Sequence, residues 1–116
     1  MKSQIDFTLL LDNTKGYAVH CSNEEDAKLF VQCAKELYPE MCTMWDDGET
    51  NYSKYGSETI YTFCLRTTGG RWVKSRLMYG SSPVHRNIGF TIIEFSDIYQ
   101  AEDINESDLS IDALFW

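Results

Sequence analysis

Apolar and polar residues alternate from Ile5 to Asp12. Ile5, Phe7, Leu9 and Leu11 fall on one side and Asp6, Thr8, Leu10 and Asp12 on the other, the period of a half-buried strand. A turn cluster at 12–16 separates it from a second alternating run, Tyr17, Val19 and Cys21, so the two predict a hairpin. The period then changes. Ala27, Phe30, Val31, Ala34 and Tyr38 share one helical stripe, widened by Leu29, Cys33 and Leu37. Ser22 and Glu25 form a capping box, three acids follow in the first turn, and Pro39 stops the pattern, which predicts a main helix at about 23–38.

Beyond Pro39 the pattern breaks. Cys42–Trp45 reads as a short strand and Asp46–Ser57 as a loop rich in rings, with Trp45, Tyr52 and Tyr55 at or inside it. Thr59–Thr67 and Arg71–Tyr79 are long strands. A three-residue turn Thr68-Gly69-Gly70, with Gly70 left-handed, places Tyr61, Phe63, Leu65, Val73, Leu77 and Tyr79 on a core face. Arg66, Trp72, Lys74 and Arg76 then share the other, exposed face. Gly80–Arg86 reads as a loop, with His85 exposed, and Ile88–Phe95, apolar on both faces, as a central strand or one covered on both sides. The expected fold is α+β: an antiparallel sheet of five or six strands with one main helix packed on one face. Residues 1–98 form the domain and 99–116 an acidic tail, possibly folded back.

Charge sharpens this picture. The 116 residues carry a net charge of −8, which disfavours a binder of nucleic acid with a generally basic surface. The charge is segmented. Residues 24–58 hold nine acids and three bases, residues 59–93 five bases and no acid, and residues 94–116 seven acids and no base. Leu9-Leu10-Leu11 is too short for a secretory leader, and no apolar run reaches the roughly 20 residues of a membrane span. A cytoplasmic location with four reduced thiols, Cys21, Cys33, Cys42 and Cys64, is expected.

Candidate chemistry is thin. Without a C-x-x-C pair, a zinc or dithiol site is disfavoured. His20 and Cys21 are neighbours in a strand, so they face opposite ways. The carboxylate pairs are those of caps and turns. No catalytic residue, metal or cofactor is therefore assigned. Arg66, Trp72, Lys74 and Arg76 could stack a base and hold phosphate, which leaves a nucleotide-binding module open; a small enzyme is a further alternative.

Two stretches, Tyr17-Ala18-Val19-His20-Cys21 leading to Glu24-Glu25-Asp26-Ala27, and Gly89-Phe90-Thr91-Ile92-Ile93-Glu94-Phe95-Ser96-Asp97, resemble a loose group of small phage and mobile-element proteins of Gram-positive bacteria. The resemblance covers roughly residues 17–98. It implies an accessory gene of the kind that counters host defence, anti-CRISPR proteins among them. The expected function is then non-enzymatic: inhibition of a host defence factor, such as a CRISPR-associated nuclease, by protein–protein contact. An acidic array imitating phosphates would meet a basic nucleic-acid-binding surface of that host protein, with no direct nucleic-acid or membrane contact. The expected contacts are Asp46, Asp47, Glu49, Glu102, Asp103, Glu106 and Asp108, anchored by Trp45, Tyr52, Tyr55 and Trp116.

Overall fold

The structure, a computed structural model, describes residues 3–12, 14–46 and 48–101. Six strands are seen: β1 (Ser3–Ile5), β2 (Tyr17–His20), β3 (Thr59–Arg66), β4 (Trp72–Ser81), β5 (Thr91–Glu94) and β6 (Tyr99–Ala101). The helices are α1 (Thr8–Leu11), α2 (Glu24–Leu37), α3 (Tyr52–Tyr55), α4 (Ser82–Ile88) and α5 (Phe95–Ile98), with 3-10 turns at Pro39–Met41 and Gly56–Glu58. The class is α+β, as expected, but the architecture differs. Four strands form a mixed sheet in the order β4-β3-β2-β5, and β1 and β6 make a separate antiparallel pair.

The N-terminal expectation is corrected. Asp6 accepts the Thr8 N–H at 2.9 Å and starts the single turn α1. The buried residues there are Phe7 and Leu10, three apart, whereas Leu9 is exposed. Alternation had placed Leu10 on the polar side. β1 pairs with β6, not β2, and the Asp6 N–H reaches the Ile98 carbonyl at 2.8 Å.

Helix α2 lies where its stripe predicts. Its cap is one residue later than the capping box suggests: Asn23 Oδ1 accepts the Asp26 N–H at 2.8 Å. Ala27, Phe30, Val31 and Ala34 are buried against the sheet, with Phe30 stacked on Tyr61 at 5.4 Å. Leu37 lies outside that contact and is exposed. Cys42–Trp45 is a chain of turns, not a strand: it continues from the 3-10 turn at Pro39–Met41, and the Trp45 N–H bonds back to the Cys42 carbonyl.

The β3–β4 hairpin has the expected turn. Gly70 has φ +86°, and Thr67 and Arg71 close three residues between them. Further along, Ser75–Leu77 of β4 oppose the single Phe63, between the pairs Cys64–Lys74 and Thr62–Met78. A surplus of two residues preserves facing. Tyr61, Phe63 and Leu77 are accordingly buried in the main core beneath α2. The reverse face holds a smaller core of Ala18, Ile60, Cys64 and Phe90, with Trp72 and Ile92 packed against it.

The C-terminal half needs two corrections. The expected loop Gly80–Arg86 is the end of β4 followed by α4, with Pro83 in its first turn and Gly89 at φ +116° ending it. Ile88–Phe95 is not a central strand but contains the short edge strand β5, parallel to β2 and covered on both sides, the other of the two readings. Its apolar character on both sides has a physical cause: Ile93 packs on the main core and Ile92 on the smaller one.

Candidate partner-binding surface

The ring-rich segment expected to be a loop contains α3 and the 3-10 turn Gly56–Glu58, and it folds back on the domain. Trp45 is 9% exposed; its indole N–H donates to the Leu77 carbonyl at 3.0 Å and its ring lies 5.8 Å from Tyr79. The Tyr61 hydroxyl donates to the Thr50 carbonyl. The Tyr52 hydroxyl donates to the Ser22 carbonyl at 2.8 Å, pinning α3 to the start of α2. Burial, Cys21 and the nearby Glu24 and Asp26 carboxylates push the Tyr52 phenol above its ordinary pKa. The acids of the first turn of α2 therefore stand beside this segment. They were read in the sequence only as dipole-complementing residues, and no local signal marks them as part of a surface.

Glu49 staples the turn before α3. One carboxylate oxygen accepts the Asp46 N–H at 2.8 Å and the other the Asn51 amide at 3.0 Å. These bonds, with Lys35 and Lys54 nearby, hold its carboxyl below the ordinary range. Asp46 is exposed. Tyr55 is 45% exposed, and Lys54 Nζ lies 5.7 Å from the Tyr79 ring centroid. Of the expected contacts, the fold brings Trp45, Asp46, Glu49, Tyr52 and Tyr55 into one neighbourhood. Asp47, Glu102, Asp103, Glu106, Asp108 and Trp116 lie outside the described residues.

Two concavities flank Glu49. One, of about 280 Å³, lies at the outer edge of β4 and is lined by Met44, Trp45, Glu49, Asn51, Leu77, Met78 and Tyr79. The other, a groove of about 770 Å³, runs between α2 and residues 48–50, with Lys28, Gln32, Lys35 and Glu36 on its helical wall.

The basic patch is partly absorbed by the fold. Arg66 Nη1 donates to the Ile88 carbonyl at 2.6 Å, capping α4, and its guanidinium lies 5.4 Å from the Trp72 ring. Trp72 packs edge-on to Phe90 at 4.7 Å. Lys74 and Arg76 remain exposed.

The reactive side chains are internally engaged. His20 and Cys21 do face opposite ways. The His20 ring contacts Glu94 Oε1 through Nδ1 at 2.8 Å and the Ser57 carbonyl through Nε2, whereas Cys21 belongs to the main core. His85 is half-buried rather than exposed, because its ring closes over Gly80 and Phe90 and Nδ1 meets the Ser81 carbonyl at 3.1 Å. The four cysteines are free thiols, each pushed by burial above its ordinary pKa, Cys21 farthest. Among the described residues, no three His, Cys, Asp or Glu converge to hold a metal ion, and no helix is long and apolar enough to cross a membrane. Among the described residues, this surface offers fixed charge and aromatic area. Comparison with protein-family models, curated proteins and solved structures finds no match to this chain.

Proposed function

We propose that the chain is a binding protein that blocks a cationic partner, its acidic side entering a channel that otherwise takes nucleic acid. One arrangement carries this reading: the Asp46 N–H and the Asn51 amide hold the Glu49 carboxylate in place, and the Tyr52–Ser22 hydrogen bond docks the following helix α3 beside Glu24 and Asp26. Carboxylates fixed in advance bind a basic surface with less ordering cost than a mobile acidic chain. Arg66 and Lys74 lie on the reverse face of the sheet, away from α2, whereas the cations on this side include Lys28, Lys35 and Lys54, with Lys35 and Lys54 near Glu49. The resemblance to phage accessory proteins supports a host defence nuclease as the partner.

The test is displacement of labelled target DNA from a guide-loaded CRISPR-associated nuclease. The chain is expected to displace DNA, with affinity falling at least about tenfold between about 0.05 and 0.5 M salt. The combined variant Glu24→Gln, Asp26→Asn, Asp46→Asn should displace it poorly. DNA retained at saturating chain, or displacement insensitive to both salt and the variant, overturns the reading.

A further inference from the structure

We propose that the cavity at the outer edge of β4, lined by Met44, Trp45, Glu49 and Tyr79, receives one arginine side chain of the cationic partner. This rests on the binding function proposed above and names the contact that would give it specificity.

The volume sets the class of ligand. About 280 Å³ lies below the roughly 300–1,000 Å³ of sites that take a drug-sized molecule, so the cavity suits a side chain. Its walls set the chemistry. Trp45 and Tyr79 present aromatic surface, and Met44, 70% exposed, forms an apolar lip that can follow an aliphatic stem. Glu49 supplies the charge. Its two bonds, to the Asp46 N–H and the Asn51 amide, occupy two of about four lone-pair positions and leave the others for an incoming donor. The carboxyl is fixed in place by those bonds before any ligand arrives.

The molecule already sets a cation against one of the lining rings: Lys54 Nζ lies 5.7 Å from the Tyr79 ring centroid and is hydrogen-bonded to that side chain. It comes from the exposed helix α3 and is not among the residues that line the cavity. Arginine fits better than lysine. A planar guanidinium can lie along a ring while its edge meets a carboxylate, which a compact ammonium cannot do. Lys54, which contacts Tyr79 and acts on the charge of Glu49, then competes with the incoming guanidinium.

The test uses two pentapeptides, acetyl-Gly-Gly-Arg-Gly-Gly-amide and the same peptide with uncharged citrulline. Binding is followed by the methyl resonances of Met44 and Met78. The arginine peptide should shift both saturably, and the citrulline peptide should bind at least about fivefold more weakly. Glu49→Gln, which keeps an acceptor oxygen, should weaken arginine binding about two- to fivefold, and Lys54→Ala should strengthen it by a similar factor. Equal affinity for both peptides, unmoved methyl resonances, or Lys54→Ala weakening the binding would overturn the proposal. If Glu49→Gln leaves arginine binding unchanged while still displacing DNA from the nuclease, the cavity assignment fails and the acidic-surface reading stands. If the arginine peptide binds as expected but DNA is never displaced, the cavity is confirmed and the nuclease reading fails.

Discussion

His20 carries the clearest pH dependence of any single residue. Its two ring nitrogens face only acceptors, the Glu94 carboxylate and the Ser57 carbonyl, so the fold is matched to the doubly protonated ring. Burial works against that charge, as does Arg86, but the bonds to Glu94 and Ser57 and the charge of Glu94 outweigh them and raise the pKa above 6.5. A raised folded pKa means the stabilisation is complete below the unfolded value, near 6.5, and is lost as pH climbs through the folded one. Urea unfolding should therefore show stability declining as pH rises above about 6.5, and His20→Gln should flatten that decline. An unchanged slope in the variant would remove His20 as its source. Gly16 is a second sensitive position. It has φ +66°, and a Cβ there would lie 2.2 Å from the Trp72 ring. Gly16→Ala should cost about 2 kcal/mol or more in thermal or chemical unfolding, since the left-handed backbone alone accounts for about 1–2. A loss below about 0.5 kcal/mol would mean that the ring moves aside freely.

At the scale of elements, the cap of α2 separates the expected from the observed geometry. Asn23→Ala should cost about 1 kcal/mol and Ser22→Ala close to nothing, read by chemical denaturation; the reverse order would restore the capping box. The contrast shows what is legible along the chain. α2 and the β3–β4 hairpin were readable because their causes are local: a 3.6-residue stripe, Pro39 as a stop, and Gly70 supplying the left-handed turn position. α4 was signalled by Pro83 and Gly89 but masked by its polar interior. The first strand was misread because Ile5 to Leu11 satisfies a period of two by composition, while burial of Phe7 and Leu10 follows a period of three. The parallel pairing of β2 and β5 has no local signature at all. For the binding surface, the acids and rings of residues 45–55 were visible. What is not visible is that Trp45 turns inward to Leu77, or that Lys54 comes to stand against Tyr79, since each depends on which strand edge the segment folds against.

For the whole molecule, the two sheets differ in support. β2 and β3 are paired on both sides and buried between two cores, whereas β1 and β6 form a separate two-stranded ribbon of three residues each, held to the main core through Ile5 and Tyr99. Two-stranded ribbons are marginal by themselves. Native-state hydrogen exchange should find the slowest amides in β2 and β3 and fast exchange in β6, set by local opening rather than global unfolding. Amides of β6 as slow as those of Val19 would show instead that the ribbon unfolds only with the core.

The parallel neighbour of β2 also bears on how the protein is made. His20 meets Glu94 from 74 residues away, and the other neighbour, β3, also comes later in the chain. At ribosomal rates of about 5–20 residues per second, some 4–15 s separate the synthesis of β2 from that of its second partner. Throughout that interval the strand destined for the middle of the sheet has at least one open edge. The nascent chain, rather than the finished protein, is the form most exposed to aggregation.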